Sequence, residues 1–203
     1  MVPAVNDVCV EWAAAKAAAR GFCDSGDEYC VRAFDHRTMV AVLDGLGHGP
    51  AAASVARQSV RLLQNARTSD ISRLVRECHE HLRRSRGVVM SLAMFDGTEN
   101  TMEWLGVGNV YGMLWCPRSS LRRTLVLRGG LVGEVLPRLQ ASVLPVTEGD
   151  TLVFTTDGVT ADIDDRLLRG SSVHVIAERI LARRRSGHDD ALALVARYRG
   201  AHR

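Results

Sequence analysis

Two apolar runs in this chain stop abruptly at Asp-Gly. Residues 39–43 read Met-Val-Ala-Val-Leu and lead straight into Asp44-Gly45, and the run Leu152-Val153-Phe154-Thr155-Thr156 leads into Asp157-Gly158. A short, unbroken apolar stretch closed by a turn signal reads as a buried strand that leaves its sheet through a tight turn. Strands of this kind have to be covered, so the remaining segments must supply the covering layers.

The first sixty residues open with strands, expected at 8–12, 29–34 and 39–43. After the glycine-rich segment ending at Pro50, residues 51–66 carry Val55, Ser59, Leu62 and Leu63 at helical spacing, with Pro50 suited to a first turn. Ser69 or Asp70 can cap a second helix reaching about residue 84, with Ile71, Leu74, Val75, Cys78 and Leu82 on one face. Strand-like stretches come next at 88–95, 101–107, 110–115 and 124–127, separated by Asp96-Gly97, Gly106-Val107-Gly108-Asn109 and Pro117-Arg118-Ser119-Ser120. Turn residues at those intervals suit an antiparallel meander. A weaker strand at 141–144, the run into Asp157, a helix over 172–184 and a last strand at 191–195 complete the order. With no internal repeat or linker, residues 1–203 are expected to form a single domain of the α+β class, helices covering stacked sheets.

Composition excludes several classes. With 46% apolar and 24% charged residues the chain is neither disordered nor fibrous. Its longest near-apolar run, residues 88–95 with Ser91 inside it, falls far short of the roughly 18 residues of a membrane span. No basic stretch precedes the first apolar residues, and Asp7, Glu11 and Lys16 break up the N-terminal segment, so a cytoplasmic protein without a signal peptide is expected. Cys9, Cys23, Cys30, Cys78 and Cys116 form no CxxC and suit reduced thiols. Net charge is +3, with arginines gathered in Arg83-Arg84-Ser85-Arg86 and Arg183-Arg184-Arg185. Without interleaved aromatics these read as solvated helix ends, whose carbonyl-rich termini favour cations, so neither nucleic acid nor membrane is expected as a partner. A monomer is expected.

Four acidic sites share one context. Asp27 follows Gly26, Asp44 and Asp157 each stand at the end of a strand before glycine, and Asp189-Asp190 stand where a strand begins. Carboxylates at neighbouring strand ends project into a shared cleft. So many like charges together are unfavourable unless protonated or neutralised, and an all-oxygen donor set suits hard cations such as Mg²⁺ or Mn²⁺. Glycine beside Asp44 lets the backbone approach closely, so the Gly45 carbonyl is itself a candidate ligand.

Asp44-Gly45-Leu46-Gly47-His48-Gly49 resembles the DGxGHG signature of the bacterial branch of the metal-dependent, phosphatase 2C-like protein phosphatases. Gly26-Asp27 is similar to that family's early acidic motif, Gly106-Val107-Gly108-Asn109-Val110 to its glycine-asparagine turn, Thr156-Asp157-Gly158-Val159 to its TDG motif, and Asp189-Asp190 to its final acidic pair, in the same order over about residues 20–197. The short length and Ser85-Arg86-Gly87 ahead of a strand look most like the stand-alone phosphatases of the stressosome.

The resemblance implies a four-layer αββα sandwich with two central antiparallel β-sheets, and metals at one edge of it. It implies a serine/threonine phosphoprotein phosphatase acting through a water activated by two Mn²⁺ or Mg²⁺ ions. Asp44 would bridge both ions, the Gly45 carbonyl would hold one, and Asp157 and Asp189 would complete the other, so that Asp44, Asp157 and Asp189 carry catalysis. Asp27 would touch an ion or stand directly behind one. The implied substrate is a phosphorylated STAS-domain protein of stress signalling. The chain departs from the pattern at the phosphate grip. Cys23-Asp24-Ser25 stands where eukaryotic relatives have arginine, and Tyr111 where many other relatives do. Arg20 and Arg32 are nearby in sequence, and neither is favoured.

Other readings compete. His48 suits either a proton donor to the leaving oxygen or a brace for the glycine loop. Cys78-His79-Glu80-His81 looks like a metal cluster, but Cys78 falls on the apolar helix face and the segment reads as helix core and surface. His188 is a neighbour of a ligand or an exposed loop residue. Cys23 and Cys30 flank the acidic motif without a basic partner in sequence. Gly47-His48-Gly49-Pro50-Ala51-Ala52 satisfies GxGxx(G/A), the mark of a nucleotide-binding module, but no ribose-binding acid on a second strand follows it. An inactive phosphatase-like scaffold is the remaining alternative, opposed by the retention of every acidic position.

Overall fold

The computed structural model describes residues 9–159, 163, 165–183 and 187–200. It opens with strands β1 (Val10–Ala17), β2 (Asp27–Phe34) and β3 (Arg37–Gly45), followed by helices α1 (Gly49–Gln64) and α2 (Ile71–Leu82). Then come β4 (Val88–Asp96), β5 (Thr101–Val107), β6 (Tyr111–Cys116), β7 (Leu121–Thr124), β8 (Ser142–Pro145) and β9 (Thr151–Thr155). Helices α3 (Asp165–Leu168) and α4 (Val173–Leu181) lead to β10 (Ala191–Tyr198). The strands form two five-stranded sheets, ordered β1-β10-β9-β6-β7 and β2-β3-β4-β5-β8. Every pairing between these strands is antiparallel.

The unbroken apolar run of β3 is explained by what covers it. Successive side chains of a strand point to opposite faces. Met39, Ala41 and Leu43 enter the core beneath α1 and α2, while Val40 and Val42 enter the core between the two sheets. Strand β10 does the same in the other sheet: Leu192, Leu194 and Ala196 fill the space between the sheets, and Ala191, Ala193 and Val195 pack against α3 and α4. A strand covered on both faces has no polar side to alternate with. The layers are therefore α1–α2, sheet, sheet, α3–α4, the four-layer αββα order that the resemblance implies.

Helix α1 lies close to its sheet because Ala52, Ala53, Ala56 and Ser59 line the buried side. Asp70 caps α2, its side chain accepting the Arg73 amide hydrogen at 3.0 Å, and Ile71, Leu74, Val75, Cys78 and Leu82 are buried as the spacing predicts. Among the described residues no helix is long and apolar enough to cross a membrane.

Some boundaries differ from the sequence expectation. Strand β1 runs to Ala17, past the expected 8–12, because Ala13, Ala14 and Ala15 pair with Val195, Leu194 and Ala193 of β10; Val8 lies outside the described residues. Strand β7 is Leu121–Thr124, not 124–127, and all four of its residues are exposed; the apolar signal came from Leu125 and Leu127, which turn into the intersheet core after the strand has ended. Helix α4 stops at Leu181, and residue 184, where it was expected to end, lies outside the described residues, as does Arg185. Helix α3, a single turn, was not anticipated.

Candidate metal centre

The antiparallel register of β2 and β3 sets Asp27, the first residue of β2, directly opposite Asp44, near the end of β3. In the other sheet β9 ends at Thr155, so Thr156 and Asp157 leave it just where Asp189-Asp190 lead into its partner β10. Each sheet thus delivers two of the predicted carboxylates from strand ends.

Hydrogen bonds tie the two sheet ends together. Thr156 Oγ1 donates to Asp27 Oδ2 at 2.6 Å and accepts the Leu192 amide hydrogen at 2.9 Å, using its one proton and a lone pair. The Asp190 carboxylate, 3% exposed, accepts the Ala19 amide hydrogen on Oδ1 at 2.8 Å and the Gly26 amide hydrogen on Oδ2 at 2.7 Å. The Gly26 carbonyl accepts in turn from the Gly45 amide at 3.0 Å. Two glycines are required by close approach: a Cβ on Gly45 would lie 2.4 Å from the Ala52 carbonyl oxygen, and one on Gly158 would lie 1.9 Å from that of Asp190.

The electrostatics follow from this crowding. Burial, followed by the charges of Asp27, Asp157, Asp189 and Asp190, pushes Asp44 up to about 8. Burial also pushes Asp27 up to about 7; the Thr156 hydrogen bond opposes it, and Asp190, Asp157 and Asp189 add to it. The burial and like charge that oppose ionisation of Asp27 and Asp44 are what a bound cation would relieve. Among the described residues no three His, Cys, Asp or Glu side chains already converge into a closed ligand group. The carboxylates lie instead within reach of one another's charge where the two sheet ends meet, the place of the cleft expected from the sequence, and their all-oxygen chemistry fits Mg²⁺ or Mn²⁺ rather than a soft ion.

Roles within the cleft are not equal. Asp190 has both oxygens committed to backbone amides, whereas Asp189 is exposed and, among the described residues, accepts a hydrogen bond only on Oδ1, from the amide of Asp190. Asp157 is also exposed, and Asn109 Nδ2 donates to its Oδ2 at 2.9 Å. The glycine-asparagine turn was visible as a motif, but nothing in the sequence shows that its asparagine orients Asp157. The fastening roles of Thr156 and Asp190 were missed for the same reason.

The other candidates make contacts of their own. His48 is exposed at the start of α1, makes no side-chain capping bond, and rests its ring 4.9 Å from that of Phe22. Arg32 points to α1: its Nη1 donates to the Leu63 carbonyl at 3.0 Å and its guanidinium lies 4.3 Å from the Phe34 ring centre. Tyr111 packs with the α3–α4 core. Cys78, His79 and His81 diverge: Cys78 is in the core, His79 Nδ1 accepts the Gly133 amide hydrogen at 3.0 Å, and His81 Nδ1 donates to the Glu77 carbonyl at 2.8 Å. His188 is exposed. The segment 47–52 does lead a strand into a helix, but both neighbours of β3 are antiparallel to it, so no βαβ nucleotide unit is formed.

Known proteins resemble this chain in sequence and in fold. Residues 35–199 match the family described as stage II sporulation protein E (SpoIIE). The phosphoserine phosphatase RsbX of Bacillus subtilis (strain 168) is 26% identical over 166 residues, which is 81% of this chain and 83% of that protein. The structure of RsbX in complex with magnesium superposes with a TM-score of 0.84 at 22% identity, covering 93% of this chain and 95% of that one. A chain from the bacterial stressosome, described as a modular system adapted to control secondary messenger signalling, superposes with a TM-score of 0.86 at 24% identity, covering 93% and 99%.

Proposed function

The chain belongs to the stage II sporulation protein E family, and on that premise we propose that it is a metal-dependent serine/threonine phosphoprotein phosphatase. The observation that carries this reading is the gathering of carboxylates where the two sheet ends meet, with Asp27 set opposite Asp44 on one sheet and Asp157 and Asp189 of the other close enough for their charges to act on both. Bound there, two Mn²⁺ or Mg²⁺ ions would supply Lewis acidity and a water acidic enough to attack phosphorus at neutral pH. The chain's own part is to hold negative oxygens in place. Asp44, set opposite Asp27 and within the field of Asp157 and Asp189, is suited to serve both ions. Gly45 offers a carbonyl, Asp157 comes oriented by Asn109, and Asp189 stands exposed while Asp190 braces the segment. Asp27, steered by Thr156, would hold an ion or support a residue that does.

RsbX is a phosphoserine phosphatase, and a stressosome chain shares the fold; the substrate assigned here is a phosphorylated STAS-domain protein of stress signalling, met in the cytoplasm by a monomeric enzyme. The test is phosphate release, followed by mass spectrometry, from a folded phosphoprotein carrying phosphoserine, phosphothreonine or phosphotyrosine. With Mn²⁺ the first two are expected to be cleared and phosphotyrosine to persist, and EDTA is expected to stop the reaction. Equal clearance of phosphotyrosine would contradict the substrate class, and no metal-dependent release from any of the three would leave only the scaffold reading.

A further inference from the structure

The cleft wall is anionic, and the phosphate monoester that a phosphatase must admit is anionic too. Neither Cys23-Asp24-Ser25 nor Tyr111 supplies a cation, and Arg32 is engaged with α1. The turn between α2 and β4 supplies one. Strand β4 lies beside β3, with Val88 opposite Gly45 and Val89 opposite Asp44, so the residues just before Val88 flank the loop just after Gly45. The two segments are joined: the Leu46 amide donates to the Gly87 carbonyl at 3.2 Å, and a Cβ on Gly47 would meet Nη1 of Arg86 at 3.2 Å.

The turn that presents Arg86 is stiff. Ser85 Oγ donates to the Leu82 carbonyl at 2.6 Å and accepts the Gly87 amide hydrogen at 3.1 Å. Val88 and Val132 exchange both backbone hydrogen bonds at 2.9 Å, and Gly87 is pressed so close to Leu131 that a Cβ would come within 2.8 Å of it. Arg83 of the same turn pairs with Glu80, and Arg57 pairs with Asp24. Arg86 is exposed and, among the described residues, has no carboxylate partner.

We propose that Arg86 binds the phosphoryl oxygens of the incoming phosphate monoester at the rim of the cleft. The proposal rests on the phosphatase reading of the same cleft. A guanidinium is a fixed fork of donors that matches two phosphate oxygens, and it stays protonated throughout, so no bond to Arg86 forms or breaks.

The experiment compares wild type, Arg86→Ala and Arg86→Lys in two readouts. One is turnover of a phosphoserine peptide; the other is binding of orthophosphate to the Mn²⁺-loaded protein by calorimetry, which needs no turnover. Arg86→Ala is expected to raise both KM and the orthophosphate Kd roughly tenfold, the size of one charge-assisted hydrogen bond. Arg86→Lys, a point charge without the fork, should recover only part of this. The melting temperature in EDTA and its rise on adding Mn²⁺ should match wild type in both variants, which separates a phosphate contact from a structural role. Arg86→Ala values within about twofold of wild type overturn the proposal, as does a Mn²⁺-loaded wild type that binds no orthophosphate. A wild type that binds orthophosphate through Arg86 but releases none from phosphoserine keeps the site and removes the phosphatase reading.

Discussion

Asp190 Oδ2 accepts the amide hydrogen of Gly26 at 2.7 Å, joining residues 164 positions apart, while the adjacent Asp189 remains exposed. The two aspartates should therefore fail differently when replaced. Asp190→Ala strands the Ala19 and Gly26 amides without an acceptor, at a cost of about 3 kcal/mol or more. For a chain of this length that is a fall of roughly 6–12 °C in melting temperature. Asp189→Ala in EDTA should melt near wild type yet lose most of the stabilisation by Mn²⁺. Thermal melts with and without Mn²⁺ read both effects, and identical behaviour of the two variants would refute the division.

Replacing Asp44 removes a carboxyl that the metal-free protein can ionise only at a cost. Burial and four neighbouring aspartates oppose its ionisation, so Asp44→Asn in EDTA should be as stable as wild type or more so. Turnover with Mn²⁺ should vanish. A ligand that binds only the folded state stabilises it by mass action, so wild type should melt higher with each increment of Mn²⁺ while Asp44→Asn barely responds. A variant retaining both activity and the wild-type Mn²⁺ response would remove the dinuclear site.

The raised values also set a pH dependence. Asp27 and Asp44 move from 3.8 up to about 7 and about 8 on folding. Between about pH 4 and pH 8 the folded state therefore binds more protons than the unfolded state, and stability falls as pH rises through that window. Urea midpoints in EDTA should be higher near pH 5.5 than near pH 8.5, and Asp44→Asn should flatten the slope. With Mn²⁺ present the trend should reverse, because cations and protons compete for the same oxygens and metal affinity grows with pH. Midpoints in EDTA that rise with pH would contradict this linkage.

Strand β3 was readable because a strand covered on both faces has only apolar residues to show, and Asp44-Gly45 marked its end. Ser69-Asp70 announced α2 because a helix start needs an acceptor there, and the structure gives the role to Asp70. Strand β1 hid its length because alanines show no β preference, and its pairing with β10 is decided by partners far along the chain. Strand β7 carries no apolar signal, since its residues face solvent. In the cleft, the carboxylates could be named one by one because each sits beside a glycine or a strand end. What each carboxylate does depends on partners that local sequence cannot reveal: Thr156 meets Asp27 across 129 positions, and Asp190 meets Ala19 across 171.

Asp27 and Asp44 ride on one sheet, Asp157 and Asp189 on the other. The gap across the cleft is therefore inherited from whatever fills the space between the sheets, where Phe95, Phe154, Leu114 and Leu194 are packed and the Phe95 and Tyr198 rings stack 5.9 Å apart. Protein interiors are packed too tightly to absorb a lost or added methylene without movement. The greasy interior thus acts as a spacer gauge for the charged rim. On the proposed metal reading, trimming a phenylalanine that carries no charge and coordinates nothing would reset how well an ion of a given radius fits between the two pairs of aspartates.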